Sequence, residues 1–334
     1  MKSFIAIKSV IIFFSLSSAF GQAEFTASAN ESQISNSTDP TISVKKNQQV
    51  VKITGVRFAY PLVEKWIDGF NREYPEVQVI IEQRSSSDPS SDILLEAYEQ
   101  PEEIKSGREY VYIARYAVLP VANSKSAFAK TFADKGLNKD LIVQLFFHDI
   151  YADKENQKEI KEPVTIYTRL QKAGAPTTFA EHFGYQQKDV KGKAIAGADE
   201  HLLKAVLRDS TGLTYLPLSL VYDRNTKKIV NGITVMPVDL DGNGKVNDDE
   251  KFYNDLSLVT QRFETNSSSD LNNVPIQYLH FSVDKKGVTP EALTFLTWVI
   301  RNGEQELHEF VYLKPEPGKL ETQKFEQFAS KRIK

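Results

Sequence analysis

Residues 50–81 contain a strand, a helix and a second strand in close succession, and this unit constrains the fold more than any other feature. The β-branched run Val50-Val-Lys-Ile-Thr closes at Gly55, as a strand would. Apolar side chains then recur at helical spacing from Pro61 to Phe70. A second β-branched run, Val77 to Ile81, follows. Such a unit places its two strands parallel and joins them by a right-handed crossover, so the sequence predicts an α/β fold.

The same alternation of strands and helices continues along the chain. No repeat of 20–50 residues is present, which argues against a solenoid or a propeller. A length of 334 residues suggests two lobes or one large domain. Strands are predicted over 164–169 and 276–283, and a strand with a turn over 213–222. Helices are predicted in pieces over 125–145, from Thr177 onward, over 201–207 and over 290–310.

The chain contains no cysteine, and its formal net charge is -3. Without cysteine there is no disulfide, thiolate zinc site, iron–sulfur cluster or cysteine nucleophile. A mildly acidic chain is not typical of nucleic-acid-binding proteins, whose binding surfaces are basic. The motifs H-E-x-x-H, G-x-S-x-G and the P-loop are also missing. We therefore predict a protein that is not an enzyme and does not bind nucleic acid.

Residues 1–23 have the layout of a secretory signal peptide, with cleavage expected after Gly21 or Ala23. The alternative is an N-terminal membrane anchor, although the apolar run is shorter than the ~20 residues that span a bilayer. Residues 24–49 are rich in Ser, Thr, Asn and Gln, and a flexible polar lead is expected there. We expect an exported protein that is not embedded in the membrane and has no lipid anchor, because the cleavage point offers no cysteine.

Residues 239–250 match the calcium-loop pattern D-x-[DN]-x-[DN]-G-x5-E at every specified position. Ca²⁺ takes six to eight hard oxygen ligands, and this spacing gathers them around one small sphere. Gly244 permits the sharp bend in the loop. The expected ligands include a backbone carbonyl at the fourth position and a direct or water-mediated contact at the fifth: Asp239, Asp241, Asn243, Lys245, Asn247 and Glu250.

This loop is predicted to follow a strand over 233–238 and to precede a helix after Glu250. Pro237 disfavours a helix before the loop, so a helix–loop–helix pair is not expected. The ion is expected to be structural, with the weak affinity of extracellular modules, roughly 10⁻⁴–10⁻³ M. The alternative is an acidic turn that binds no metal.

Four segments, taken in order, match the pattern of one protein family. They are Gly55-Val-Arg-Phe-Ala-Tyr-Pro-Leu-Val-Glu-Lys-Trp, Ile166-Tyr-Thr-Arg followed by Ala173-Gly-Ala and Phe183-Gly, Gly212-Leu-Thr-Tyr-Leu-Pro-Leu, and a helix from Pro290 that leads to Val311-Tyr-Leu-Lys-Pro. Together they span about residues 50–315. In this order they resemble the periplasmic solute-binding proteins of ABC transporters. The resemblance is to the phosphate-binding (PstS-like) group, which belongs to the type II periplasmic binding proteins.

The resemblance implies an α/β fold with two lobes, hinge crossovers between them and a ligand cleft. Lobe one is expected over 50–118 plus 278–334, and lobe two over 119–277 with the calcium loop inserted. It also implies a monomeric periplasmic protein that captures a small anionic solute, phosphate or a similar oxyanion. Closure of the lobes would then present the solute to an ABC transporter permease.

The resemblance further implies an anion site built from helix starts, which offer free N–H groups and the positive end of the helix dipole. Arg169 is expected to add a charge-assisted contact, the alternative being an ordinary pair with a surface carboxylate. Ser85 and Ser86 are expected to contact the anion as well, the alternative being that they belong to an ordinary surface loop without a ligand. The candidate residues are Ala59, Tyr60, Ser85, Ser86, Arg169, Gly174 and Ala175.

Two turns differ from the family pattern. Phe58 and Ala59 stand where the family has a Ser or Thr hydroxyl, and Ala173-Gly-Ala stands where Ser-Gly-Thr is usual. Asp92 and Glu96 are the nearest candidates for the carboxylate that accepts a proton from phosphate in the family. Each missing hydroxyl donor is worth about 0.5–1.5 kcal/mol. The alternative function is therefore a binding or adhesion protein of the same fold that has lost phosphate binding and recognises another ligand or partner.

Overall fold

The computed structural model describes residues 49–82, 91–148, 160–265, 271–316 and 320–333. The predicted signal peptide, the predicted lead up to residue 48, and Ser85 and Ser86 lie outside the described residues. Gln49, which was predicted to end the lead, is the first residue of a strand. No helix within the described ranges is long and apolar enough to cross a membrane.

Strands and helices alternate along the described chain. The strands are β1 (Gln49–Gly55), β2 (Val77–Ile81), β3 (Ile93–Glu96), β4 (Arg108–Asn123), β5 (Thr165–Arg169), β6 (Lys193–Ile195), β7 (Gly212–Pro217), β8 (Ile233–Val235) and β9 (Ile276–Asp284). The helices are α1 (Tyr60–Glu73), α2 (Glu102–Lys105), α3 (Ala127–Phe132), α4 (Lys139–Phe147), α5 (Gly174–His182), α6 (Asp199–Arg208), α7 (Leu218–Val221), α8 (Leu256–Thr265), α9 (Pro290–Asn302) and α10 (Leu320–Arg332).

The described strands form one continuous sheet in the order β2-β1-β3-β9-β4-β7-β5-β6, and β8 pairs with β4. Strand β1 is parallel to both β2 and β3, so the predicted strand–helix–strand unit is confirmed. Strand β5 is parallel to both β6 and β7. The antiparallel strands β9 and β4 lie between these two parallel groups.

Strand β4 connects the two halves of the sheet. It pairs with β9 from Arg108 to Ala117 and with β7 from Val118 onward. We call β1–β3, β9 and the first half of β4 the first lobe, and β5–β8 with the second half of β4 the second lobe. The fold is thus α/β with two lobes. The residue ranges predicted for the lobes from the sequence stay predictions.

Helix α1 covers the sheet of the first lobe with its apolar face. Pro61 lies in its first turn. Proline has no N–H, and this costs no hydrogen bond here, because N–H groups of the first turn have no acceptor within the helix. Leu62, Val63, Trp66 and Phe70 are all buried, and each large apolar side chain contributes about 1.5–3 kcal/mol by leaving water. The indole N–H of Trp66 donates to the carbonyl of Gly303 at 3.1 Å, which fixes α1 against the end of α9.

Two helix boundaries differ from the prediction. Helix α9 ends at Asn302 instead of continuing to residue 310, and a 3-10 turn follows from Gly303. Helix α5 begins at Gly174, three residues before the predicted start, because the carbonyl of Ala173 already accepts the N–H of Thr177 at 3.1 Å. Gly174 therefore lies within the first turn of α5 and not in a loop before it.

Candidate functional site

A cavity of about 360 Å³ lies between the two lobes. Its walls include Gly55, Glu96 and Arg169, which are the last residues of β1, β3 and β5. Ligands of open α/β sheets bind outside the carboxyl ends of the strands. The cavity therefore occupies the edge of the sheet where a ligand is expected.

Two helix starts and one turn also face this cavity. They are the turn before α1 (55–58), the start of α5 at Gly174 and the start of α6 (197–200). The first N–H groups of a helix have no acceptor within the helix, and they carry the positive end of the helix dipole. The cavity walls are thus built to accept an anion from several directions.

The turn before α1 requires glycine at position 55. Gly55 has a φ of 152°, and a Cβ there would lie 1.9 Å from the carbonyl oxygen of Leu95. This close approach lets the N–H of Val56 donate to the same oxygen at 3.1 Å. The hydroxyl of Tyr60 donates to the Gly55 carbonyl at 3.1 Å and lies 3.2 Å from its N–H. The turn is therefore held rigidly beside the cavity.

Arg169 is the least exposed cation of the second-lobe wall. Its Nη1 lies 2.6 Å from Oδ1 of Asp199, and the two side chains are only 10% and 6% exposed. Burial raises the pKa of Asp199, and the neighbouring guanidinium partly offsets that rise. The buried Nε of Arg169 has no hydrogen-bond partner among the described residues. A buried donor without a partner is unfavourable.

Glu96 is the buried charged group of the first-lobe wall. Its side chain is buried, and its carboxylate accepts hydrogen bonds from Nε2 of Gln100 at 2.6 Å and from the hydroxyl of Ser282. Nε2 of His280 lies 3.8 Å from the same carboxylate. Asp92, the other carboxylate considered from the sequence, instead accepts the N–H of Lys52 at 2.8 Å, and it does not line the cavity.

The two lobes touch beside the cavity. A Cβ added to Gly174 would lie 2.6 Å from Cβ of Ala97 and 3.2 Å from Cγ1 of Val56. The hydroxyl of Thr178 donates to the carbonyl of Ala97 at 3.2 Å, and it also bonds to the hydroxyl of Tyr116. Helix α5 of the second lobe thus contacts the first lobe directly, and glycine at 174 is what permits the contact.

The structure places the sequence-predicted anion site as follows. Arg169 and Gly174 line the cavity, whereas Ala59, Tyr60 and Ala175 are buried and are not part of its wall. A contact from their backbone groups to a ligand stays a prediction. Arg169 is paired with a buried carboxylate, not with a surface one as the alternative had it.

Several wall residues were not singled out from the sequence as ligand contacts. Asp199 could have been predicted to lie at a helix start, because acidic residues there interact favourably with the helix dipole. Gln100 and Lys172 follow strand or turn positions without any periodic pattern. Their place in the wall depends on pairing between distant segments.

The predicted calcium loop lies between β8 and α8. Carboxylate oxygens of Asp239, Asp241 and Glu250 lie within 4.8 Å of one another. The buried Asp239 carboxylate accepts the N–H groups of residues 242, 243 and 244, and Gly244 has a φ of 82°. Glu250 accepts the N–H groups of residues 240 and 247. The strand, loop and helix follow in the predicted order, with a 3-10 turn over Asp248–Glu250.

No family model and no curated protein sequence matches the chain. Solved structures do match it. A protein from Clostridium perfringens, described as a candidate phosphate ABC transporter substrate-binding protein with bound phosphate, is 15% identical, with a TM-score of 0.60 over 80% of this chain and 100% of its own. An ABC-type phosphate transport receptor from Vibrio cholerae is 11% identical, with a TM-score of 0.55 over 80% and 100%.

A third structure, from Planctomyces limnophilus, is described as a candidate phosphate-binding protein. It is 15% identical, with a TM-score of 0.51 over 86% of this chain and 99% of its own. The resemblance noted in the sequence is confirmed at the level of fold: the chain has the two-lobed α/β fold of the type II periplasmic binding proteins.

Proposed function

We propose that the protein is an extracytoplasmic solute-binding protein that captures phosphate or a similar oxyanion between its lobes. The observation that carries this proposal is the nearly buried Arg169 in the wall of a cavity that the turn before α1 and the starts of α5 and α6 face. A planar guanidinium and backbone N–H groups are the donors that tetrahedral oxyanions prefer. The structural neighbours described as phosphate-binding proteins support the same ligand class.

An acidic protein can hold an anion in this way because the donors are local. Backbone N–H groups at a helix start act over the first turn only, so the net charge of -3 has little influence on them. Asp199 neutralises part of the Arg169 charge, which keeps the empty cavity from carrying an isolated buried cation. The site thus favours an anion without a basic surface.

A solute-binding role implies export, a location and a membrane partner. We propose that residues 1–23 direct export, that the mature protein is periplasmic and monomeric, and that its partner is the permease of an ABC transporter. The hydroxyl-poor turns at Phe58 and Ala173 favour the alternative in which another ligand has replaced phosphate. Binding measurements with several oxyanions separate a phosphate site from a site for another ligand.

Calorimetry with phosphate, arsenate, sulfate and molybdate tests the oxyanion site. The double variant Arg169→Gln with Asp199→Asn removes both charges together, because removing one partner of a buried pair costs about 3–5 kcal/mol and endangers folding. Loss of a charge-assisted hydrogen bond, about 1.5–3 kcal/mol, should weaken binding roughly 10- to 150-fold.

The control is the double variant Arg115→Gln with Glu316→Gln. This pair also joins a buried arginine to a carboxylate, at 3.2 Å, but neither residue lines the cavity. The control should bind the anion like the wild type. No heat with any of the four anions at millimolar concentration, or equal binding by the Arg169 double variant, would refute the oxyanion proposal.

We also propose that the 239–250 loop binds a structural Ca²⁺. Its support is the motif together with three converging carboxylates, two of which are buried. Side-chain Nδ2 atoms of Asn243 and Asn247 donate to Asp241 at 2.8 and 3.0 Å. Binding would turn these amides so that their oxygens face the ion, as a hard cation requires.

Thermal unfolding in Ca²⁺ and in a chelator tests the metal site. With a dissociation constant near 10⁻⁴ M, 10 mM Ca²⁺ should stabilise the fold by about 2.7 kcal/mol, or roughly 5–10 °C in Tm. Glu250→Gln should lose most of this shift. Asp248→Asn removes a charge from the same loop at an exposed position that is not a predicted ligand, and it should keep the shift. Equal melting temperatures in Ca²⁺ and chelator would refute the site.

A further inference from the structure

The two walls of the cavity differ in chemistry. The second-lobe wall holds Arg169 and the starts of α5 and α6, which favour an anion. Lys172, Asp199 and Glu200 also line this wall, and Asp199 is paired with Arg169. The first-lobe wall holds the buried carboxylate of Glu96, with Tyr98 and Phe58 nearby. Arg57, also on this side, is exposed. A ligand that fills the cavity therefore meets Arg169 and helix-start N–H groups on one side and the Glu96 carboxylate on the other.

Glu96 has no Lys or Arg partner within the described part of the chain. Its only ion-pair neighbour there is His280, at 3.8 Å. Burial lowers the pKa of His280, against the opposing effect of the nearby carboxylates, so this imidazole is mainly neutral at pH 7. Arg108 donates to Ser282, not to Glu96. A buried carboxylate without a cation is unfavourable, and it lies where a ligand can supply one.

The cavity is also larger than a bare oxyanion needs. Its volume of about 360 Å³ equals that of about twelve water molecules in the liquid, whereas phosphate has five heavy atoms. Pockets of about 300–1,000 Å³ are typical of organic ligands. The Nζ atom of Lys172 lies 4.7 Å from the centroid of the Tyr98 ring, so an ammonium group is already accommodated against that ring.

We infer that the cavity takes a dipolar organic anion, an oxyanion group joined by a short chain to a protonated amine. The oxyanion contacts Arg169 and the helix starts of the second lobe, and the amine contacts Glu96. This inference rests on the proposed function, because it uses the same anion wall. It explains why a carboxylate without a cation and a cavity larger than phosphate occur together at one site.

Three probes test the inference by calorimetry on the full mature chain: phosphate, 2-aminoethylphosphonate and propylphosphonate. The last two have nearly the same shape and differ by an ammonium in place of a methyl group. The wild type should bind 2-aminoethylphosphonate at least tenfold more tightly than propylphosphonate. In Glu96→Gln this ratio should fall to about one, while the affinity for propylphosphonate stays the same or rises.

The outcomes separate the two proposals. If propylphosphonate binds the wild type as tightly as 2-aminoethylphosphonate, the dipolar inference is refuted and the oxyanion proposal stands. If none of the three probes binds, the anion wall itself is refuted. Because the comparison of the two phosphonates uses the wild type, it remains decisive even if Glu96→Gln disturbs the hydrogen bonds from Gln100 and Ser282 and fails to fold.

Discussion

A single methyl group at position 174 should separate the lobes. In the structure, a Cβ at Gly174 would lie 2.6 Å from Cβ of Ala97, 3.2 Å from Cγ1 of Val56 and 3.5 Å from a ring carbon of Phe58. Carbon atoms pack at about 3.5–4.0 Å. Gly174→Ala therefore forces the start of α5 to retreat from Ala97 by about 1 Å.

The effect on binding follows from that displacement. Overpacking of a close contact typically costs about 1–3 kcal/mol, and here it acts only on the arrangement in which the lobes touch. The affinity for a ligand held by both lobes should then fall roughly 5- to 150-fold. Folding of the second lobe should be unaffected or slightly favoured, because alanine is a better helix former than glycine by about 1 kcal/mol.

Calorimetry with phosphate and thermal unfolding measure the two effects. Hydrogen exchange of the peptide that spans α5 adds a measurement that needs no ligand, and exchange there should become faster. Gly287→Ala is the matched control, because nothing lies within 4 Å of a Cβ at that glycine. Unchanged affinity together with unchanged exchange in Gly174→Ala would show that α5 does not touch Ala97 in solution.

Three further predictions concern stability. Burial lowers the folded-state pKa of His280, so below about pH 6.5 the unfolded chain takes up the proton first and the protein loses at most ~1.4 kcal/mol of stability per pH unit. His280→Leu should reduce this loss. Urea unfolding at pH 7.5 and 5.5 measures the free energy of unfolding, and a pH dependence equal to that of the wild type would contradict the assignment. His182, whose pKa is also lowered, keeps part of the slope. Lys227→Gly should raise stability by up to about 1 kcal/mol, because Lys227 has a φ of 59°; a lower Tm would count against strain there. Asn123→Ala should cost about 1–3 kcal/mol in urea unfolding, since its buried amide donates to the carbonyls of residues 206 and 207, and a change below 0.5 kcal/mol would contradict that role.

The parts of the fold that the sequence predicted well are those set by local patterns. The unit β1-α1-β2 was predicted almost to the residue, because its apolar periodicity and the bounding Gly55 and Pro61 all lie within 33 residues. Strand β3 was not assigned, since it has four residues and its identity depends on pairing with β1 and β9. Helix α10 was missed because its sequence is largely polar: over residues 322–332, where burial is described, Phe325 and Ala329 are the buried side chains.

The candidate site shows the same division. Arg169 and Gly174 were named from the resemblance, and both lie in the cavity wall. Their partners were not predicted, because Asp199 is 30 residues from Arg169 and Ala97 lies in the other lobe. The charge balance of a cavity depends on which distant segments meet, and no local spacing contains that information. The ligand positions proposed at Ser85 and Ser86 remain predictions.

The buried hydrogen bonds among Tyr116, Thr178 and Ala97 affect how fast a solute leaves. In the proposed function, opening the lobes must break the bonds of Thr178 to Ala97 and to Tyr116 before the solute can escape. These contacts are lost in the escape step but are not needed for the first encounter. If the protein binds a solute as proposed, these contacts lengthen its residence time without slowing its arrival.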